Sequence, residues 1–202
     1  MKKQPEKTAQ TKQALVDAFW ETAIRRGIQN VTISEVAKRA GFNRGTFYVY
    51  FTDINDLLYQ AEDEIIQDVR HQFSTIGQIE RDSTKRILQT VSSKIIELFG
   101  QYDEKIFLLL GKNGDPYYVD RIREEMTALF TNILMPQTNI PHMEYIAALA
   151  TSAFTGLLLY WHENGRKISV AELDQIAYRT MLFGISGIMS DLQHHYDDKQ
   201  LR

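Results

Sequence analysis

The chain of 202 residues contains no cysteine. That absence removes disulfide staples, thiol nucleophiles and thiolate metal sites in one step, and it fits a reducing compartment. There is no run of the roughly 18 apolar residues that a membrane-spanning helix requires. The opening Met1-Lys2-Lys3-Gln4-Pro5-Glu6-Lys7 is charged and has no apolar core, so it does not read as a signal peptide. A cytoplasmic protein with no membrane partner is expected. The five histidines, His71, His142, His162, His194 and His195, show no metal-ligand spacing. Gly111-Lys112-Asn113-Gly114 lacks the Gly-x-x-x-x-Gly-Lys-Ser/Thr order of a phosphate loop, and no nucleophile-elbow pattern occurs. The sequence therefore predicts no catalytic residues, no metal and no cofactor, and a protein that is not an enzyme.

What is present suits a helical protein with a basic end. At 44% hydrophobic residues the chain can bury a substantial core, and a small domain over residues 1–52 followed by a larger one over residues 53–202 is the natural division. Residues 1–52 hold nine Lys/Arg against four Asp/Glu, a net +5, whereas the remainder holds 14 against 22, a net −8. Only the first quarter suits a polyanion.

That quarter contains two short helical patterns joined by a tight turn. Thr32 and Glu35 have capping-box spacing, and Ile33, Val36, Ala37 and Ala40 follow at helical intervals. Gly41 stands where a left-handed C-cap is needed, Phe42 plugs the turn, and Asn43 can cap a second helix from about Arg44 to Phe51. Phe47 and Phe51 anchor one side of it. The outward remainder is one cation, two small residues and two phenols flanking Val49, which suits a DNA major groove. Arg44 can reach a guanine edge or a phosphate, Gly45 permits close backbone approach, and Thr46 can donate to phosphate. Tyr48 and Tyr50 can bond phosphate and pack on sugars, and Val49 can touch a thymine methyl. With Thr32, Ser34 and Asn43 these form the expected DNA-binding set.

The run from Gly27-Ile28-Gln29-Asn30-Val31-Thr32-Ile33 through Val36-Ala37-Lys38-Arg39-Ala40-Gly41-Phe42-Asn43-Arg44-Gly45-Thr46-Phe47-Tyr48-Val49-Tyr50-Phe51 resembles the DNA-binding domain of the TetR family of bacterial transcriptional regulators. The resemblance covers about Leu15 to Leu58. It implies an all-α protein with a three-helix helix-turn-helix domain followed by a larger helical ligand-binding and dimerisation domain. One departure stands out: family members usually carry a phosphate-binding lysine at the start of the next helix, where this chain has Ile54 between Asp53 and Asp56.

Around this motif the pattern stays helical. A first helix from about Thr8 to Arg26, with Leu15, Ala18, Phe19, Thr22 and Ala23 inward, would complete the reading domain, and Lys2, Lys3 and Lys7 precede it as a basic arm. A helix of some 20 residues from Asp53 to Phe73 would link the reading head to the rest of the chain. Further helices are expected from Ser83 to Gly100, from Asp103 to Gly111, from Pro116 to before Pro136, from His142 to Asn164, and from a Ser169/Glu172 capping box to Leu192. The segment Leu110-Gly111-Lys112-Asn113-Gly114-Asp115-Pro116-Tyr117 resembles the C-terminal domain of a TetR-family subset from Gram-positive bacteria.

The last two helices are apolar over more than one stripe, and Ala150, Ala153, Gly156, Gly184 and Gly187 permit close approach. A homodimer through a four-helix interface is expected, which sets two recognition helices against a palindromic operator in double-stranded DNA. By analogy with the family an effector pocket lies among residues 83–165, with Phe99, Phe107, Tyr117, Tyr118, Met126, Phe130, Phe154 and Trp161 as candidate lining for a small apolar or amphipathic effector. Control by a protein partner is the other option. The expected function is a sequence-specific transcriptional repressor, and the rival is a helical sensor or interaction module that no longer binds DNA specifically.

Overall fold

The computed structural model describes residues 5–74, 76, 84–111, 114–134, 142–181 and 183–184. Every regular element among them is helical: α1 (Pro5–Arg26), a 3-10 turn (Ile28–Asn30), α2 (Ile33–Arg39), α3 (Arg44–Phe47), α4 (Ile54–Ser74), α5 (Thr84–Leu110), α6 (Pro116–Leu134), α7 (Met143–Glu163) and α8 (170–181). The chain forms two compact units, Met1–Asp68 with Tyr102–Asp120, and Val69–Gln101 with Arg121–Arg202.

In the first unit α1 supplies Leu15, Phe19, Trp20 and Ala23, α2 supplies Val36 and Ala37, and Phe47, Phe51, Leu57, Leu58, Ala61 and Ile65 complete the core, all buried. Each of the Val, Leu, Ile and Phe side chains contributes about 1.5–3 kcal/mol through the apolar surface it removes from water. Thr22 lies in the same interior, and its hydroxyl is satisfied by donating to the Ala18 carbonyl at 2.7 Å. Later in the chain Ile106, Leu109 and Tyr118 are buried in this unit. Between them Gly111 and Gly114 let the chain fold back: a Cβ on Gly114 would lie 1.9 Å from the Leu109 carbonyl oxygen, so only glycine fits. Asp115 then accepts from the Tyr117 amide at 2.8 Å and Pro116 opens α6, the N-terminal arrangement expected of Asp-Pro.

The second unit buries Val69 and Phe73 of α4, Ile87, Val91, Ile95 and Leu98 of α5, Phe130 of α6, Ala147, Phe154 and Leu158 of α7, and Leu173 and Ala177 of α8. Polar ties cross between its helices. Arg70 of α4 holds Glu125 of α6 in a two-pronged ion pair at 2.9 and 2.6 Å, and Ser92 of α5 donates to Asp174 of α8. The Arg70 guanidinium keeps the Glu125 carboxyl below its ordinary range. At the start of α8, Ser169 and Glu172 cap each other reciprocally, with Ser169 N donating to Glu172 at 2.8 Å and Glu172 N to Ser169 Oγ at 3.2 Å.

Three expected boundaries move. The first helix begins at Pro5, because proline's missing amide is an orphan in a first turn anyway. The recognition helix stops at Phe47 rather than Phe51: Val49 N bonds Thr46 O at 3.2 Å and Tyr50 N bonds Phe47 O at 3.0 Å, and these shorter loops tighten the chain into a turn. Finally, the break expected between the helices Ser83–Gly100 and Asp103–Gly111 is present as a kink in α5 and falls at Tyr102, whose backbone is non-helical (φ −114°, ψ 16°). A glycine ends a helix by turning left-handed, and Gly100 does not do so. Tyr102 instead leaves the helical path where its part-buried phenol donates to Asp68 at 2.7 Å, and partial burial with that carboxylate holds the phenol's pKa above its ordinary value. Lys2, Lys3, Ser83, Pro136, Gly187, Leu192 and the His194–His195 pair lie outside the described residues.

Candidate nucleic-acid interface

The helix-turn-helix is built by local chemistry. Thr32 caps α2 by accepting from the Glu35 amide at 3.3 Å. The Glu35 carboxylate does not return to the backbone of Thr32, as a full capping box would; it accepts from the Thr32 hydroxyl at 3.0 Å and pairs with Arg26 of α1. At the other end Phe42 N bonds Ala37 O at 2.8 Å and Gly41 N bonds Lys38 O at 3.2 Å, the paired bonds of a Schellman turn. Gly41 adopts φ +79°, which an L side chain resists. Asn43 then caps α3, its Oδ1 accepting from the Thr46 amide at 2.8 Å and the Thr46 hydroxyl at 3.3 Å. Such a cap is worth about 1 kcal/mol. Gly45 leaves room for it, since a Cβ there would sit 3.1 Å from Asn43 Oδ1.

Because this helix has only four residues, its orientation comes from the core. Phe47 and Phe51 are buried with ring centroids 5.5 Å apart, and Phe47 meets Tyr48 edge-on at 5.8 Å. What remains faces solvent. Arg44 and Gly45 are exposed, Tyr48 is 51% and Val49 56% exposed, and Thr46 and Tyr50 are half-buried. Thr32, Ser34 and Asn43 are exposed too, although the side-chain oxygens of Thr32 and Asn43 are engaged in capping.

The charge pattern of this unit was not readable from composition. Several cations counted in the basic end are neutralised: Arg26 by Glu35, Arg39 by Glu21 at 2.8 Å, and Lys12 by Glu64 at 3.9 Å. Arg44 has no carboxylate partner among the described residues; its Nη2 instead donates to Tyr48 Oη at 3.4 Å. At the start of α4, where Ile54 replaces the family's lysine, Asp53 accepts from Asp56 N at 2.9 Å and Asp56 accepts from Thr52 N at 2.7 Å. Hydrogen bonds from Gln60 and Thr52 hold the Asp56 carboxyl below its usual range. The Thr52 and Asp56 amides are occupied and the local charge is negative, which opposes a phosphate.

The eight candidate effector-lining residues are divided between the two units. Phe107, Tyr117 and Tyr118 belong to the first unit, and Phe99, Met126, Phe130, Phe154 and Trp161 to the second. Tyr117, in the first turn of α6, is 81% exposed and lines no interior. Trp161 donates to the Ile168 carbonyl at 2.8 Å and carries Arg166 over its ring, so it closes the α7–α8 connection. Phe99 and Phe154 do meet, edge-on at 6.5 Å, with Phe130 buried in the same unit. No group of three metal-ligating side chains occurs among the described residues, and no helix among them is long and apolar enough to cross a membrane.

Residues 12–61 match the family model for bacterial regulatory proteins of the tetR family, and residues 87–182 match the one for a transcriptional regulator C-terminal region. Among solved structures, the fatty acid degradation regulator FadR from Bacillus halodurans aligns with a TM-score of 0.75 over 92% of this chain and 98% of its own, at 14% identity. FadR from Bacillus subtilis in complex with stearoyl-CoA gives 0.69 over 86% and 98%, at 18% identity. A TetR transcriptional regulator from Streptococcus agalactiae gives 0.62 over 87% and 96%, at 23% identity. At these identities the structural likeness establishes the fold.

Proposed function

This chain belongs to the TetR family of DNA-binding bacterial regulators, and from that premise we propose that it is a homodimeric repressor that reads a palindromic operator and is released by an effector. The observation that carries the proposal is the outward surface of α3, where Arg44, Tyr48 and Val49 face solvent while Phe47 and Phe51 are held in the core. In this reading residues 1–52 are the DNA-binding domain and residues 53–202 the regulatory one, in a cytoplasmic protein. Arg44, Gly45, Thr46, Tyr48, Val49 and Tyr50 meet the groove, and Thr32, Ser34 and Asn43 lie at the flanking helix starts.

Dimerisation is supported by an apolar stripe on α7. Tyr145, Leu149 and Tyr160 are exposed at helical spacing with the small residues Ala153 and Gly156 between them, and Ile176 and Phe183 are exposed further on. Apolar surface of that extent is better covered by a second copy than left in water. A two-fold dimer spaces its recognition helices about 34–36 Å apart or more, so the operator repeats.

The effector belongs to the second unit's interior, and the stearoyl-CoA complex of the Bacillus subtilis regulator supports long-chain acyl thioesters as the class to test. An effector that favours the splayed dimer shifts the population away from operator binding by no more than its differential affinity for the two states. One observation favours the rival sensor module: the start of α4 carries the carboxylates of Asp53 and Asp56, which oppose a phosphate.

The deciding experiment selects bound duplexes from a random library at moderate salt and titrates the winner with native protein and Arg44→Ala. An enriched palindrome that Arg44→Ala binds about 10–100-fold more weakly is expected, from the loss of one bidentate base contact per half-site. Failure to enrich any sequence would refute sequence-specific reading.

A further inference from the structure

We infer that Tyr48 is a positioning residue for Arg44, and that the pair together sets specificity for a guanine in each half-site. The inference rests on the DNA-reading role proposed above and assigns Tyr48 a task different from contacting phosphate.

A solvent-exposed arginine on a four-residue helix samples many rotamers, and a guanine edge accepts only one arrangement of the guanidinium fork. Something must bias the side chain beforehand if Arg44 is to discriminate well. The structure supplies a chain of contacts that does so. Phe47 is fully buried and fixes the helix; Tyr48 packs edge-on against it with the ring planes at 87°. The phenol oxygen, carried one turn beyond Arg44, accepts from its Nη2 at 3.4 Å. Residues four apart lie on one helix face, so the bond draws the guanidinium along the outward surface rather than across the turn.

Charge sharpens the same arrangement. Arg26, Arg39 and Lys12 are tied to carboxylates, whereas Arg44 has, among the described residues, the Tyr48 phenol and no carboxylate. A carboxylate partner would have to be given up on meeting DNA. A phenol holds the cation without neutralising it and leaves the other edge of the fork for the N7 and O6 acceptors of guanine.

The test compares native protein, Tyr48→Phe, Arg44→Ala and the double variant on the selected operator and on each single-base-pair change of it, at several salt concentrations. Tyr48→Phe keeps the ring and removes only the oxygen. The expected result is a three- to tenfold loss of discrimination at one base pair per half-site. The slope of affinity against salt is expected to stay unchanged, and the double variant to be no worse than Arg44→Ala alone. If Tyr48→Phe weakens all sequences alike and lowers the salt slope by about one per half-site, the phenol contacts phosphate and the positioning role is wrong. No effect of Tyr48→Phe on any sequence also overturns it. If the native protein itself enriches no duplex, the DNA-reading assignment fails, and the role of Tyr48 fails with it.

Discussion

The helix pair α2–α3 and the helix pair α7–α8 hold together by opposite means. The first consists of seven and four residues, and almost every bond that shapes it joins residues within five positions: the Thr32 cap, the Schellman turn at Gly41 and the Asn43 cap. It leaves a polar, cationic surface outside. The second has a 21-residue helix, α7, whose shape is set by burial, and it leaves apolar side chains outside, Leu149 at 71% exposure among them. Short elements that must present polar groups to a ligand need local capping, since they bury too little to be held otherwise. A long apolar helix such as α7 is held by the surface it buries, and its remaining apolar face is free to carry a second interface.

The comparison can be broken most severely on the α7 side. In the proposed dimer Leu149→Glu would set a carboxylate in the α7 interface of each copy, and the dimer dissociation constant should rise by about a thousandfold or more. Sedimentation measures that change, and an unchanged dimer would show that the exposed α7 stripe is not the interface. Next is Gly114→Ala, whose Cβ would collide with a backbone oxygen that cannot yield. It should cost about 3 kcal/mol and lower the melting temperature by roughly 6–12 °C.

Smaller effects sharpen the contrast between capping and packing. Asn43→Ala should cost about 1 kcal/mol in stability and loosen α3 measurably by amide exchange at Thr46, while the dimer stays intact. Glu125→Gln probes an ion pair that is only partly shielded, so its contribution at neutral pH is about 1 kcal/mol. The sign follows from linkage. The folded carboxyl titrates below its unfolded value, so the stabilisation is present above the ordinary carboxylate range and is lost as pH falls through the lower folded pKa. Melting curves from pH 7 to pH 3 should therefore converge for native and Glu125→Gln, and parallel curves would assign the stabilisation to another cause.

Legibility in the sequence followed the range of the interactions. The caps at Thr32, Asn43, Asp115 and Ser169 and the left-handed Gly41 were all readable, because each needs only a residue type and a neighbour three or so positions away. The partner of Tyr102 at the α5 kink was not, because its phenol meets Asp68, 34 positions earlier. The cation count in residues 1–52 likewise overstated the charge on offer to DNA, since Arg39 finds Glu21 only once α1 and α2 pack. Tyr117 and Tyr118 are adjacent and chemically identical, yet one is exposed and the other buried, a difference of helix face that composition does not carry.

By itself, then, the sequence determined the helical class, the helix-turn-helix and the residues on its outward surface, all consequences of backbone hydrogen bonding and helical periodicity over a few residues. Only the tertiary structure decided which cations pair with carboxylates, which group meets Tyr102 at the α5 kink and which aromatic side chains reach an interior. Those outcomes depend on partners brought together from distant parts of the chain, and a partner's identity is set by packing of whole helices rather than by the residues beside it.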